Sequence, residues 1–183
     1  MHHVGLPETR FSIAADRFLT RVGEGVSWIW VVLVAVVTVN VVMRYVLGKG
    51  LIQFEELQWH LYAIGFMLGF AWVTVRDDDV RIDVLSEKWG LERRAWIEFY
   101  GMVLFFFPLL AVFLIFSVPY IAYSFSIHEV SEAPGGLPYR WAIKAVILVA
   151  FVLLAIAAIA RFSRVLSYLF GTPKAVRQPV PGR

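Results

Sequence analysis

The amino-acid sequence predicts an all-α membrane protein. It has four transmembrane helices, amphipathic interfacial helices beside them, and both termini on the cytoplasmic side. Three observations carry this reading. Hydrophobic residues make up 60% of the 183-residue chain, against ~45–50% in an ordinary soluble domain. They gather into four stretches, each near the ~20 residues that cross a bilayer. Basic residues collect at alternate ends of those stretches, as topology signals do. Charged residues are 17% of the chain, and mean hydropathy is +0.71. A soluble fold of this length has too little interior to hide so much apolar surface, which argues against a soluble enzyme or a disordered chain.

The four spans fall at about residues 26–47, 57–75, 97–123 and 141–160, inside a single membrane domain covering 1–170. Each is expected to be helical, because an apolar segment in lipid must satisfy its own backbone groups. Barrel strands would be shorter and would alternate in polarity, which these runs do not. The first span contains SWIWVVLVAVVTVNVV. Its apolar core is too long for a signal peptide, and Met43-Arg44-Tyr45 follows it in place of a small-residue cleavage site, so it reads as a retained anchor. The third span is long enough to tilt or to continue beyond the lipid, and it holds Pro108 and Pro119, which read equally as the mid-helix break of a transporter site or as kinks in a long helix.

Orientation follows the Lys and Arg distribution. Arg10, Arg17 and Arg21 precede the first span. Arg76, Arg81, Lys88, Arg93 and Arg94 lie between the second and third, and Arg161, Arg164, Lys174, Arg177 and Arg183 follow the fourth. Only Arg44, Lys49, Arg140 and Lys144 are left for the opposite side. The bias places both termini in the cytoplasm, with the loops at 48–56 and 124–140 facing outward, in a bacterium into the periplasm. The net charge of +3 thus reads as topology. Nucleic-acid binding would gather the basic residues on one face.

Phe11, Ala14, Ala15, Phe18, Leu19 and Val22 recur at helical spacing among Arg10, Asp16, Arg17 and Arg21. This predicts an amphipathic helix on the cytoplasmic surface before the first span. Arg161 to Phe170 reads the same way after the fourth span, and the segment around Val84, Leu85, Trp89 and Leu91 more weakly so. Residues 171–183, TPKAVRQPVPGR after Gly171, lack periodicity and read as a flexible cytoplasmic tail.

Little in the chain supports catalysis. There is no Cys, and no HExxH, GxSxG, phosphate-loop or dinucleotide pattern, so no enzyme activity and no cofactor are expected. Glu55, Glu56 and His60 sit close enough on one helix to suggest a metal, yet a polar helix start at the membrane interface accounts for them. Asp77, Asp78 and Asp79 read as a solvated run beside Arg76 and Arg81. Charges near lipid are expensive and mark points of interest. Asn40 and Arg44, four apart, either contact a partner helix or bond within the bundle and snorkel to the headgroups. Lys144, one turn into the fourth span, either snorkels or couples to an ion. No acidic residue lies deep in any span. Arg81 and Asp83 pin the loop to a partner or cap the next helix. The stretch SEAPGGLPYRW, Ser131 to Trp141, makes a defined turn into the fourth helix, with Tyr139 and Trp141 as aromatic anchors. It is either an outer docking surface or a rigid turn returning the chain to the membrane.

In order along the chain, Asn40-Val-Val-Met-Arg44-Tyr45, Glu55-Glu56-Leu57, Gly69, Ala71, Arg76, Val80-Arg81-Ile82-Asp83 and Pro134-Gly-Gly-Leu-Pro138-Tyr-Arg-Trp-Ala-Ile-Lys144 resemble the small membrane subunit, or Q subunit, of tripartite ATP-independent periplasmic (TRAP) transporters. The last stretch resembles the branch associated with 2-oxo acids and related organic acids. The family's loop motif is usually preceded by His; this chain has Asp79 there, which removes a titratable imidazole. The resemblance implies a multi-pass subunit of the bacterial inner membrane. Its partners would be a large multi-span permease subunit, a periplasmic substrate-binding protein and membrane lipids. It would be the scaffold of a sodium-coupled carboxylate transporter whose substrate and ion sites lie in the large subunit. Asn40, Arg44, Glu55, Glu56, Arg76, Arg81, Asp83, Tyr139 and Lys144 are then interface or topology residues. Two other readings remain: a self-oligomerising channel or small transporter, and a membrane redox subunit.

Overall fold

The computed structural model describes residues 6–76 and 89–176, and within them every regular element is helical. In chain order these are α1 (Arg10–Val46), α2 (Ile52–Arg76), α3 (Leu91–Gly101), a π-helical turn (Met102–Phe106), α4 (Phe107–Ser126) and α5 (Arg140–Phe170). Three helical stretches are long and apolar enough to cross a membrane: Arg10–Val46, the continuous Leu91–Ser126, and Arg140–Phe170. At 25 residues α2 is also long. Its first third, however, carries Gln53, Glu55, Glu56, Gln58 and His60, which dilute its apolar run. The loop residues Asp77, Asp78, Asp79, Arg81, Asp83, Val84 and Leu85 lie outside the described residues.

The segments expected as separate interfacial helices are continuous with their neighbours. Residues 10–22 run into the first apolar stretch as one helix of 37 residues, and 161–170 complete α5. Gly23 and Gly25 do not end α1. A helical glycine costs about 1 kcal/mol relative to alanine but still makes its backbone bonds.

Two compact units share these helices. One comprises, among described residues, 6–21, 71–76, 89–112 and 153–176. Its interior is small and close-packed: Ala15, Leu19, Ala71, Ala95, Ala157, Ala158, Ala160 and Val165 are buried. Thr9 caps α1 by accepting the Ser12 N–H at 3.1 Å, while its own N–H donates to Ser12 Oγ at 3.0 Å, a reciprocal cap of the start of the helix. Ser163 Oγ donates to the Ala160 carbonyl, so Thr9 Oγ1 donates in its turn to Ser163 Oγ at 2.9 Å. Arg164 pairs with Asp16, and Arg161 with Glu98. Phe99 stacks on Phe162, and Trp96 meets Phe170 edge-on. The π-helical turn stands just before Pro108: the Phe107 N–H reaches five residues back to the Met102 carbonyl. Pro108 has no N–H to give, so the backbone widens there without breaking.

The second unit comprises 22–70 and 113–152. Trp30 packs edge-on against Tyr62 and lies over Gly65, where an added Cβ would stand 3.1 Å from the indole. Phe113 stacks on Phe151 with centroids 4.6 Å apart. α1 ends at Gly48, whose φ of +63° lets the Lys49 N–H turn back to the Met43 carbonyl. At the end of α4, His128 takes the left-handed position (φ 49°) that glycine usually fills. The Glu129 N–H then bonds the Ser124 carbonyl at 3.1 Å, the closing bond of a Schellman cap.

Candidate functional site

The chemistry of the second unit concentrates where the chain passes from α4 to α5, against the first turns of α2. Ala133-Pro134-Gly135-Gly136 folds as a type II turn. Proline supplies the fixed φ of the second position, Gly135 the positive φ (+77°) of the third, and the Gly136 N–H bonds the Ala133 carbonyl at 2.9 Å. The Ser131 N–H donates to the Leu137 carbonyl and the Arg140 N–H to the Glu129 carbonyl, closing the neck. Tyr139, exposed and at φ 62°, turns the chain into α5.

Two side chains of α2 hold this loop. Gln53 Nε2 donates to the Gly135 carbonyl. Glu56 accepts the Ser131 hydroxyl on one carboxylate oxygen and the Leu137 N–H, at 2.5 Å, on the other. The backbone bond from Leu137, then the one from Ser131, holds the Glu56 carboxyl below its ordinary value of 4.5. Gly136 lies so close that a Cβ there would stand 2.5 Å from Ser131 Cβ and 2.8 Å from Glu56 Oε1. Only glycine fits.

A second cluster lies at the neck. Glu129 takes a hydrogen bond from Lys144, and Arg140 Nε stands 3.8 Å away. The Lys144 bond is the largest of the influences that lower the Glu129 carboxyl from 4.5. Lys144 Nζ also sits 4.3 Å from the centre of the Tyr120 ring, a cation–π contact. The ammonium is therefore shared between a carboxylate and an aromatic face.

The structure divides the residues singled out from sequence. Glu56, Tyr139 and Lys144 belong to this loop assembly. Arg44 and Glu55 approach at 3.8 Å, but both are mostly exposed (66% and 51%), a pair of small energetic weight. Asn40 is buried in α1. Arg76 is the last residue of α2, and Arg81 and Asp83 lie outside the described residues. Among the described residues no three metal-binding side chains come together. Glu56 is committed to the loop, and His60 Nδ1 donates to the Glu56 carbonyl at 2.6 Å.

The carboxylates of this assembly face backbone and side-chain donors within the same unit. Residues 33–167, well over half the chain, match the family described as tripartite ATP-independent periplasmic transporters, DctQ component. The chain belongs to the DctQ family. A DctQ protein is a transporter component and not an enzyme. The match takes in Asn40, Arg44, the loop assembly and most of α5. Comparison with curated proteins and with solved structures finds no match.

Sequence reasoning missed four participants in this DctQ chain: Gln53 and Ser131 as loop anchors, Glu129 as the partner of Lys144, and Arg140 beyond its topological charge. Lys144 and Glu129 are fifteen residues apart and Gln53 and Gly135 eighty-two, so no helical spacing links them. The one local signal was composition: two carboxylates, Glu129 and Glu132, precede the turn, and two cations, Arg140 and Lys144, follow it.

Proposed function

We propose that this DctQ chain is the scaffold for the large permease subunit of a sodium-coupled, binding-protein-dependent transporter of organic anions, carboxylates above all. It crosses the inner membrane four times, with both termini cytoplasmic and α2 as the second span. It enlarges the static footprint of the large subunit in the bilayer and faces the periplasmic binding protein with the loops at 48–56 and 124–140. Asn40, Arg44 and Glu55 order the outer contact with the large subunit. Glu56, Tyr139 and Lys144 fix the outer turn, and Arg76, Arg81 and Asp83 order the cytoplasmic loop. The PGGLPYRWAIK stretch favours the 2-oxo acid branch of substrates.

One observation supports the scaffold reading most. Glu56, Glu129 and Lys144, three ionisable groups around the turn, are engaged in holding the chain's own loop. A transport path would keep such groups available to substrate or ion. The test is to purify the tagged chain from its native membrane and identify what accompanies it. A stoichiometric partner of a dozen or so spans is expected, with no sodium-driven uptake by vesicles holding this chain alone. Uptake by such vesicles, or a self-oligomer that conducts and carries no partner, would replace the scaffold with the channel reading.

A further inference from the structure

Beside the loop assembly, on the α2–α5 side, lies a cleft of about 430 Å³ that the scaffold role does not use. Arg140, His60 and Glu56 are among its polar lining, and Trp59, Ala63 and Ile143 among its apolar lining. The Arg140 side chain is 41% exposed, with Nε 3.8 Å from Glu129, and its charge also acts on the Glu56 carboxylate. Its two terminal amino groups hold no hydrogen bond among the described residues. His60 uses Nδ1 on the Glu56 carbonyl, which leaves Nε2 as the ring's remaining polar atom. Both Glu56 oxygens are taken by donors of the loop, so that carboxylate is the least available of the three groups to a ligand. Trp59 is 73% exposed, an indole placed where the polar start of α2 gives way to its apolar run. That is the depth at which tryptophan meets lipid headgroups. Ala63 and Ile143 each sit about one turn further along their helices, and the residues beyond them are mostly apolar.

A guanidinium fork at the top of an apolar groove matches one ligand chemistry: a phosphodiester carrying an acyl chain. Arginine binds phosphate through paired, charge-assisted hydrogen bonds. The small side chain of Ala63 leaves room for a hydrocarbon to lie between the helices. A free anion would gain nothing from the apolar lining, and a plain hydrocarbon nothing from Arg140. We propose that this cleft binds a phospholipid of the surrounding leaflet, with its phosphate on Arg140 and His60 and one acyl chain along Ala63 and Ile143. The proposal rests on the membrane reading only in so far as the starts of α2 and α5 share one headgroup layer. It needs neither the large subunit nor the transported substrate.

The test uses the full chain, purified in a non-ionic detergent and stripped of lipid. Thermal unfolding is followed by tryptophan fluorescence during titration with dioleoyl phosphatidylglycerol, dioleoylglycerol or inorganic phosphate. Only phosphatidylglycerol is expected to raise the unfolding midpoint. Arg140→Gln should raise the half-saturating lipid concentration about ten- to hundredfold, the usual consequence of losing hydrogen bonds to a charged group. Ile143→Trp should block the groove while keeping every charge, and should abolish the shift. Equal stabilisation by inorganic phosphate or by dioleoylglycerol would overturn the proposal, as would an unchanged lipid response in Ile143→Trp. If Arg140→Gln does not fold, Ile143→Trp decides alone. Failure here, with the large partner still recovered from native membranes, removes the lipid site and leaves the scaffold role standing.

Discussion

Replacing Gly136 by alanine adds one methyl group where the 131–137 loop lies against α2. Built on the observed backbone, that carbon would meet Ser131 Cβ at 2.5 Å, Ser131 Oγ at 2.7 Å and Glu56 Oε1 at 2.8 Å. None of these atoms yields easily. Ser131 Cβ moves only with its backbone, which the Leu137 carbonyl holds, and Glu56 is fixed by two bonds. Relief requires the loop to swing off α2. Overpacking of this kind costs about 1–3 kcal/mol, which raises the open fraction of the loop roughly 5- to 150-fold. Hydrogen exchange of the Leu137 amide in detergent reads this directly, because Glu56 protects that N–H. Gly69→Ala is the control. Nothing lies within 4 Å of its added carbon, and in a helix interior alanine stabilises by about 0.5–1 kcal/mol. Wild-type protection of Leu137 in Gly136→Ala would mean that the loop is not packed against α2, and the account of Glu56 would fall with it.

Three other outcomes are expected. Glu129→Gln and Lys144→Met should each lower the thermal midpoint, while the double variant should lose less than the two losses combined, because each single change strands a charge; strict additivity in that cycle would dissolve the pair. Glu56 and Glu129 have folded-state values below 4.5, so their stabilisation is complete above pH 4.5 and lost as pH falls through the folded values. The unfolding midpoint should hold level on the neutral side of pH 4.5 and fall on the acid side, and less so in Glu56→Gln/Glu129→Gln; an equal fall in that variant would place the acid sensitivity elsewhere. Leu19, 1% exposed, should cost about 2–5 kcal/mol when cut to alanine, measured by denaturant unfolding in mixed micelles, whereas half-exposed Phe18 should cost far less; similar costs would contradict the packing of α1.

Three of the four apolar stretches, the first, third and fourth, were legible as candidate spans because length and composition alone decide them. The junctions were not. Arg10–Val22 looked amphipathic and Val26–Leu47 uniformly apolar, a change of pattern that suggested two elements. The backbone nevertheless runs through both, because a shift in which side chains are apolar interrupts no hydrogen bond. The polar pairs illustrate the other limit. Glu55 and Glu56 are equivalent by composition, yet about 100° of helix rotation separates them. One stands exposed near Arg44 and the other is half-buried and hydrogen-bonded to the loop. Only the approach of residues 131–137, far along the chain, makes them differ. Asp16 and Arg164 likewise pair across 148 residues, and neither neighbourhood announces the other.

The bond between Glu56 and the Leu137 amide spans 81 residues, and this separation has a temporal meaning. Synthesis proceeds at about 5–20 residues per second, so roughly 4–16 s pass between the emergence of the carboxylate and that of the amide it will accept. Throughout that interval the head of α2 carries a charge with nothing to receive it. It has no loop to hold while α3 and α4 are laid down. The arrival of the loop then does two things at once: it engages that charge and fixes where α5 begins against α2. The last helix is thereby registered against the second only after the continuous helix Leu91–Ser126 exists. A nascent chain arrested before residue 137 would present an unlatched α2.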